Sequence, residues 1–313
     1  MSIVERIIPV FYKNIHKQEK GGMWDHCNSH AETVELTVEN LEDMAHTELI
    51  WGFFGGTQSR EIRPTIVKFA QAVGIVGIEN PGDDGVLRYP KLGIAHKTYS
   101  AVLQEIETKL GFEINLPEFI GNGDGLKTKY GVITDRHCYT LWLMKRIIEL
   151  CPDRNSRIIE IGAGLGLLGY YLDKAGYNDY TIIDLAYSNI CQTYFLNRNL
   201  PDRDIIISGE EENPFDVEHK DSLKILHSSD FKNIGENKFD IMINMDGLVE
   251  MKAEQAFAYF TSDCSPLLLS INHEVNEFRV CELDKNESYR KRLYRHPFWL
   301  RTGYVEELYK NNL

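Results

Sequence analysis

The sequence predicts an α/β protein with a doubly wound, mostly parallel sheet. From about residue 157, short β-branched runs alternate with helix-length amphipathic stretches, which is the pattern of successive βαβ units. The first run ends in a glycine-rich turn at 162–166, and such a turn typically joins a buried strand to a helix. The runs at 205–207 and 241–243 are apolar without alternation, as expected where helices cover both faces of a sheet.

Composition and charge exclude several classes of protein. The chain has 313 residues, of which 43% are hydrophobic and 26% charged, an ordinary globular mixture that can bury a large core. The 34 basic and 47 acidic side chains give a formal charge of −13. A surface of that sign repels phosphate backbones, so nucleic acid is not expected as a partner.

Cysteine usage and hydropathy predict a cytoplasmic location. Six scattered cysteines include no C-x-x-C pair, which is typical of thiols in a reducing compartment. Glu5 and Arg6 interrupt the first apolar stretch before a signal-peptide core could form. No run of about 18 apolar residues occurs, so we expect no membrane span.

The N-terminal part is predicted to be mostly helical. Amphipathic spacing indicates helices at 32–51, after Pro64, and from Tyr99 to Leu110, since apolar residues recur there at three- and four-residue steps. The glycine-rich stretch at 121–125 suits a linker or hinge. We therefore expect a helical region at 1–130 that caps a second domain at 131–313.

The second domain begins with a helix from Asp135 to Leu150 and continues as strands and helices. Two stretches, 204–208 and 223–227, compete to be the third strand of its sheet. The remaining predicted elements are strands at 157–161, 180–184, 239–245 and 267–272, a helix at 252–261, and an antiparallel edge pair at 278–283 and 303–309.

The glycine turn and two carboxylates near it indicate a nucleotide-like ligand. Asp184 ends the strand that follows the turn, about 20 residues on, where a carboxylate can accept hydrogen bonds from ribose hydroxyls. The string Gly164-Leu-Gly-Leu-Leu-Gly169 also satisfies the dinucleotide pattern G-x-G-x-x-G. However, Glu160 precedes the turn, and its negative charge suits a cationic ligand better than a pyrophosphate. The string also starts two residues late relative to the strand end at Ile161.

These residues resemble a known family. Glu160-x-Gly162-x-Gly164-x-Gly166 followed by Asp184 is similar to the cofactor site of class I S-adenosylmethionine (SAM)-dependent methyltransferases, and the resemblance covers roughly residues 131–309. It implies a Rossmann-like methyltransferase sheet. Five shorter segments resemble bacterial sugar O-methyltransferases: GVITDRH at 131–137, IDL at 183–185, INMDGLVEM at 243–251, SINHE at 270–274 and RTGYVEE at 301–307.

The resemblance implies roles for the cofactor-site residues. Glu160 would contact the methionine end of SAM, Asp184 the ribose and Asp230 the adenine amino group, while Gly162, Ala163 and Gly164 would line the cofactor. At the carboxyl end of the fourth strand, Asn244 and Met245 are expected to face the cofactor or the transferred methyl group. Arg136 either pairs with the cofactor carboxylate or is an ordinary charge at a helix start.

Methyl transfer to a sugar hydroxyl requires that the hydroxyl lose its proton, so a base is expected. His273 is the leading candidate, with Glu274 beside it to orient the imidazole, although a purely structural role at a loop is equally compatible. Glu250 and Asp246 are the alternatives, each of which also suits the start of a helix. Together these four side chains could instead bind a divalent metal. Because no ligand spacing enforces that, we predict a metal-independent site.

Other features have two interpretations each. The basic residues Arg290, Lys291, Arg292, Arg295 and Arg301 suit a phosphorylated or nucleotide-linked sugar, or a solvated face. The cluster Asp25-His-Cys27-x-x-His30 is a metal site or a polar loop. The aromatics Trp24, Trp51, Phe53, Phe54, Trp142 and Trp299 suit sugar stacking or a core.

The predicted function is therefore transfer of a methyl group from SAM to a hydroxyl of a sugar or glycan acceptor, in surface polysaccharide biosynthesis. The alternatives are an NAD(P)-dependent oxidoreductase and a non-catalytic SAM-binding scaffold. The acceptor identity and the oligomeric state, a homo-oligomer included, stay open.

Overall fold

The strands and helices of the C-terminal two thirds of the chain follow the predicted alternation. The computed structural model describes residues 2–17, 35–37, 41, 62–78, 98–118 and 125–312. The strands are β1 Leu126–Thr128, β2 Gly131–Ile133, β3 Ile158–Ile161, β4 Tyr180–Asp184, β5 Ile205–Ile207, β6 Leu223–His227, β7 Ile241–Met245, β8 Leu267–His273, β9 Arg290–Pro297 and β10 Tyr304–Asn311. The helices are α1 Ile3–Asn14, α2 Ile62–Ala72, α3 Tyr99–Leu110, α4 Asp135–Leu150, α5 Leu167–Lys174, α6 Ala186–Asn199 and α7 Ala253–Phe260.

Eight of the strands form one sheet in the order β5-β6-β4-β3-β7-β8-β10-β9. The first six are parallel, and β10 and β9 add an antiparallel hairpin to β8. Strand order reverses at β3, which has β4 on one side and β7 on the other. The structure therefore confirms the predicted doubly wound α/β fold, and ligands bind such sheets at the carboxyl ends of the strands beside this reversal.

Both faces of the sheet are buried. Ile158 of β3 belongs to one hydrophobic core, which includes α2 to α6, whereas its neighbour Ile159 belongs to a second core beneath α7. All four residues of β3 are buried, which explains why this strand is apolar at consecutive positions except for Glu160.

Both stretches that compete to be the third strand form strands, β5 and β6. Strand β6 pairs directly with β4, and β5 pairs with the outer side of β6. Both stretches are consecutive apolar residues because each is buried in the sheet. The sequence alone has no signal for their lateral order.

One predicted strand is wrong. Residues 278–283 contain a single 3₁₀ turn at Val280–Glu282, and the partner of β10 is β9. The alternating apolar pair Phe278 and Val280 suggested a strand, but both side chains pack into the core from a loop. Strand β9 lacks an apolar pattern because most of its residues are exposed at the edge of the sheet.

Helix α1 was not predicted. Ser2 and Glu5 form a capping box at its start, which satisfies amide groups that have no partner inside the helix. Ile7 and Phe11 are buried, and Arg6 donates to the carbonyl oxygen of Ile205 at 2.8 Å. Glu5 and Arg6 thus belong to an amphipathic helix that packs against α6 and covers the β5 side of the sheet.

The other predicted N-terminal elements divide into confirmed and undescribed. Helices α2 and α3 lie where they were expected, and α2 packs against α3 and α4. Most of the predicted helix at 32–51 lies outside the described residues, as do Gly121 and Gly123 of the predicted linker. The boundary near residue 130 stays a prediction, although Ile66, Val102 and Ile158 share one core.

Within the described part, no helix has the length and apolar character needed to cross a membrane. The five cysteines in that part form no disulfide with one another.

Candidate functional site

The glycine turn lies at the carboxyl end of β3. Gly162, Gly164 and Gly166 have φ angles of 71°, 58° and 85°, a left-handed region that strains other residues. The Gly162 amide donates to the carbonyl oxygen of Ile183 at 2.9 Å, which ties the turn to β4. Gly162, Ala163 and Gly164 are half-buried, so the backbone of the turn is accessible to a ligand.

The two later glycines have a packing role. A Cβ atom at Gly166 would lie 2.9 Å from Cδ1 of Leu196, and one at Gly169 would lie 2.7 Å from Cε1 of Tyr180. Both glycines are buried. In the string that starts at Gly164, Gly166 is the residue that a pyrophosphate would approach. Its burial agrees with the argument that this string is out of register for a dinucleotide.

Glu160 is buried at the centre of the sheet. Its side chain accepts a hydrogen bond from the hydroxyl of Tyr180 on β4. Burial, together with the negative charge of Asp184, raises the pKa of Glu160 to about 8, against the lowering effect of the Tyr180 hydrogen bond. A cation nearby would favour the ionised form.

Asp184 ends β4 and is half-buried. We call the region along the carboxyl ends of the strands, beside the glycine turn at 162–166 and Asp184, the crevice. The carboxylate of Asp184 accepts from the amide of Leu185 at 2.8 Å and from Nε2 of Gln192 at 2.6 Å. The same Gln192 nitrogen donates to the carbonyl oxygen of Gly164 at 2.8 Å. Burial raises the pKa of Asp184 to about 6 in spite of these donors. Gln192 therefore fixes the carboxylate beside the glycine turn.

Asp230 follows β6, the neighbour of β4. Its Oδ2 accepts from the hydroxyl of Ser208 at 2.5 Å, and Nδ2 of Asn14 approaches that hydroxyl at 3.4 Å. Asp230 is half-buried. The N-terminal helix α1 thus reaches the far end of the crevice, which the sequence did not predict.

Asn244 lies at the end of β7, but its side chain is fully buried. Its amide nitrogen donates to the carbonyl oxygen of Ile161 at 2.7 Å, and its oxygen accepts from the amide of Leu248 at 3.1 Å and from Asn272 at 2.8 Å. A Cβ at Gly247 would lie 2.7 Å from the Asn244 nitrogen. Asn244 therefore connects the end of β3, just before the glycine turn, with the loop that follows β7.

Met245 is half-buried, and the residue after it has an unusual backbone. Asp246 has a φ of 64°, which is uncommon outside glycine and is often found at functional sites. Its amide donates to the carbonyl oxygen of Ile271 in β8 at 2.9 Å. The carboxylate is thereby turned out of the sheet toward the crevice side.

The three predicted catalytic residues converge. One ligand atom each from Asp246, Glu250 and His273 lie within 4.8 Å of one another, and all three residues are half-buried. Nε2 of His273 is 3.8 Å from Oδ1 of Asp246. The other imidazole nitrogen, Nδ1, is buried without a hydrogen-bond partner among the described residues. The space between the ligand atoms of Asp246, Glu250 and His273 suits either an acceptor hydroxyl or a divalent cation.

Two donors hold Asp246. Nη1 of Arg301 donates to Oδ2, and the hydroxyl of Tyr304 donates to Oδ1, each at 2.7 Å. Tyr304 has no counterpart among the predicted site residues. The sequence assigns Tyr304 no role, because no local pattern shows that β10 pairs with β8 and places Tyr304 opposite His273.

Arg136 lies in the first turn of α4 near this cluster. Its side chain is solvent-accessible, yet the surrounding protein lowers its pKa, with a further contribution from the charge of Arg301. Asp246 and Glu250 act in the opposite direction. Because the charges of Asp246, Glu250 and Arg301 all act on it, the Arg136 guanidinium lies near this cluster.

Several other predicted groups serve the protein itself. Arg290 is buried and donates to the carbonyl oxygens of Phe260, Ser262 and Ser265. Arg295 is bound to Glu274, so Glu274 is directed away from orienting His273. The basic stretch is therefore largely a set of structural contacts, with Arg301 as the member that reaches the candidate site.

Of the predicted aromatic and metal-like residues, Trp142 and Trp299 lie in the described part of the chain. Nε1 of Trp142 donates to Glu306 at 2.7 Å, a structural contact, whereas Trp299 is 44% exposed. The cluster at 25–30 and the aromatic residues at 24, 51, 53 and 54 lie outside the described residues.

Comparisons with known proteins give the following similarities. No protein-family model and no curated protein matches this chain. Among solved structures, the magnesium protoporphyrin IX methyltransferase of Synechocystis PCC 6803, with bound SAM, is 14% identical with a TM-score of 0.41, covering 57% of this chain and 82% of that one. A SAM-dependent methyltransferase from Aquifex aeolicus is 12% identical with a TM-score of 0.37, covering 54% and 88%.

A third match is the bifunctional kinase-methyltransferase WbdD, 11% identical with a TM-score of 0.35, covering 53% of this chain and 39% of that one. At these identities and TM-scores the similarities carry no argument about chemistry.

Proposed function

We propose that this protein is a SAM-dependent methyltransferase that methylates a hydroxyl group of a sugar. The observation that carries the proposal is the pair of carboxylates, Glu160 and Asp184, on adjacent strands beside an accessible glycine turn. Burial raises the pKa of both carboxyl groups, and the charge of Asp184 adds to the rise at Glu160. A ligand with a positive charge and hydroxyl groups satisfies such a pair, whereas a pyrophosphate adds further negative charge.

The residues of the crevice fit SAM along its length. Glu160 would bind the methionine end, the backbone at 162–164 would lie along the ligand, and Asp184 would accept from the ribose hydroxyls. Asp230 has one oxygen engaged by Ser208, which leaves the other for the adenine amino group. Arg136 is available to the cofactor carboxylate. For Asn244 we propose a positioning role in place of direct contact, because its side chain is fully buried and bonded to Ile161, Leu248 and Asn272.

The acceptor would lie beside Asp246, Glu250 and His273. When bound, SAM supplies an electrophilic methyl group, so the chain must align the hydroxyl with it and exclude water; alignment alone supplies about 7–11 kcal/mol. The hydroxyl oxygen forms the bond to the methyl carbon while the carbon–sulfur bond breaks and its electron pair stays on sulfur. His273 takes the hydroxyl proton.

Carboxylates beside cationic side chains suit a sugar, because neighbouring hydroxyls can donate to Asp246 and Glu250 and accept from Arg136. The same three ligand atoms suit a divalent cation. We favour a metal-independent reaction, since Arg301 already neutralises Asp246 at 2.7 Å.

Calorimetry with SAM and with NAD⁺ tests the cofactor. We expect SAM to bind and NAD⁺ not to bind, and Glu160→Gln to weaken SAM binding at least 10-fold. Glu149→Gln is the control, because Glu149 is an exposed acid on α4 with its own ion pairs. Binding of NAD⁺ to the wild-type protein, without SAM binding, would reject the proposal in favour of an oxidoreductase.

Methyl transfer requires a separate assay. Incubation with methyl-labelled SAM and a panel of nucleotide-linked sugars and polysaccharide extracts should give a labelled sugar, with or without added chelator. SAM binding without labelling of any acceptor would favour a binding scaffold. Loss of labelling with chelator, restored by Mg²⁺ or Mn²⁺, would contradict metal independence.

A further inference from the structure

The turn before β10 places two donors on one carboxylate. Arg301 and Tyr304 bind opposite oxygens of Asp246, each at 2.7 Å. The Arg301 guanidinium also lies 3.9 Å from the centroid of the Tyr304 ring, so the two donors support each other. The turn is closed by the amide of Phe298, which donates to the carbonyl oxygen of Tyr304 at 2.8 Å.

The backbone of Asp246 is held as firmly as its side chain. Its amide is bonded to Ile271 of β8 at 2.9 Å, and its φ of 64° places it in the left-handed region. Two side-chain torsions then decide where the carboxylate points. With a donor on each oxygen, one orientation is selected.

That orientation concerns His273 directly. Strand β10 pairs with β8 so that Tyr304 lies opposite His273, and the two rings make an edge-to-face contact with centroids 5.6 Å apart. The oxygen that accepts from Tyr304, Oδ1, is also the one that lies 3.8 Å from Nε2 of His273. One oxygen therefore connects the tyrosine with the candidate base.

We propose that Arg301 and Tyr304 are positioning residues that hold the Asp246 carboxylate at the imidazole of His273. At 3.8 Å from Nε2 the carboxylate makes no hydrogen bond to the ring, but its negative charge offsets the positive charge that the imidazole gains when Nε2 accepts a proton. This inference rests on the proposed function, in which His273 takes the proton of the acceptor hydroxyl. Neither donor has to touch the acceptor.

The chain contains a matched control. On the neighbouring strand, the hydroxyl of Tyr294 donates to Glu306 at 2.7 Å, and Nε of Arg146 donates to the same carboxylate at 2.9 Å. Both donors reach Oε1 of this fully buried carboxylate, and Nη2 of Arg146 also donates to the Tyr294 hydroxyl at 2.7 Å. Tyr294→Phe therefore removes a tyrosine-to-carboxylate hydrogen bond, together with the bond from Arg146, without touching Asp246.

The first experiment needs no acceptor. In the full chain labelled with ¹⁵N-histidine, His273 resonances are assigned with His273→Gln, and the imidazole ¹⁵N shifts are compared among variants. We expect Tyr304→Phe and Arg301→Lys to move the His273 shifts and Tyr294→Phe to leave them unchanged. Identical His273 shifts in the wild-type protein and Tyr304→Phe would overturn the proposal.

The second experiment separates positioning from a structural role. With methyl-labelled SAM and the acceptor found above, Tyr304→Phe should lower kcat about 10-fold, the scale of one hydrogen bond to a charged group. The KM for SAM should match that of Tyr294→Phe, and the unfolding midpoint should fall no further than in Tyr294→Phe, whose hydroxyl lies on a fully buried carboxylate. In an Asp246→Asn background, Tyr304→Phe should cost nothing further, because it acts through Asp246.

An equal kcat for Tyr304→Phe and Tyr294→Phe, or fully additive losses with Asp246→Asn, would overturn the positioning role. If the wild-type protein binds no SAM, the proposed function fails, whereas the NMR comparison still decides whether Arg301 and Tyr304 control His273.

Discussion

Two carboxylates on the same side of the sheet have opposite environments. Glu306 is fully buried and accepts from Trp142, Arg146 and Tyr294. Asp246 also accepts from an arginine and a tyrosine, but 20% of its side chain is exposed and its backbone is left-handed. The comparison shows that similar donors serve stability when they complete a buried group, and serve a site when the group still faces solvent.

Glu160 differs from both. It is buried nearly as deeply as Glu306, at 4% against 0% exposed, yet among the described residues Tyr180 is the one side chain that donates to it. A buried carboxylate with few donors disfavours its charged form, which is why the pKa of Glu160 is raised to about 8. Such a group is suited to a cationic ligand.

The largest effect is expected at Glu306. Glu306→Ala should lower the free energy of unfolding by about 3–5 kcal/mol, because it leaves Arg146 without its buried partner. Chemical denaturation measures this loss. The control is Glu282→Gln, which removes the surface ion pair between Glu282 and Arg279 and should change the unfolding free energy little. A loss for Glu306→Ala below about 1 kcal/mol would remove the distinction between the two carboxylates.

The next effect concerns activity. His273→Gln should lower kcat by about 100-fold or more, the usual contribution of a general base, while stability and the KM for SAM stay near wild type. His296→Gln is the matched control, since His296 is 49% exposed on β9. A wild-type kcat in His273→Gln would show that the base lies elsewhere, with Glu250 the next candidate.

The pH dependence of Glu160 gives a smaller effect with a defined sign. The raised pKa, about 8 against a usual 4.5, means that the folded chain without cofactor binds a proton that the unfolded chain releases. This contribution to stability is fully present below pH 4.5 and is lost as pH rises through about 8. The unfolding free energy of Glu160→Gln should therefore fall less between these values.

Binding should show the opposite trend. A cationic ligand prefers ionised Glu160, so the affinity for SAM should rise up to about 10-fold per pH unit below pH 8. Asp184, with a pKa of about 6, adds to this trend at lower pH. Calorimetry in buffers of different ionisation enthalpy measures the released proton, and an absence of proton release at pH 7 would contradict a neutral Glu160.

The smallest effect is expected for the backbone of Asp246. Asp246→Gly removes the half-buried hydrogen bonds from Arg301 and Tyr304, each worth about 1.5–3 kcal/mol at most, but also relieves a left-handed conformation that costs about 1–3 kcal/mol. We expect the unfolding free energy to change by less than about 2 kcal/mol while methyl transfer is lost. A large loss of stability would place Asp246 with Glu306 as a structural carboxylate.

The sequence predicted the sheet, the glycine turn and the crevice acids because these features are local. The bounds of α4 and β4 follow from the spacing of their apolar residues and from the turn residues that flank each element in the sequence. Likewise Glu160, Gly162 and Asp184 lie on adjacent strands of one βαβ unit, so their proximity follows from the chain connectivity.

What only the tertiary structure decided is which distant groups meet. Tyr304 is 58 residues from Asp246, the aspartate that it binds. No local pattern predicts that contact, the lateral order of β5 and β6, or the place of β9 at the edge of the sheet. The same is true of the contact between Asn14 of α1 and Ser208. Local periodicity records which face of an element is buried, but not which element buries it. That choice depends on the packing of the whole sheet, and it determines how Asp246 is held at His273.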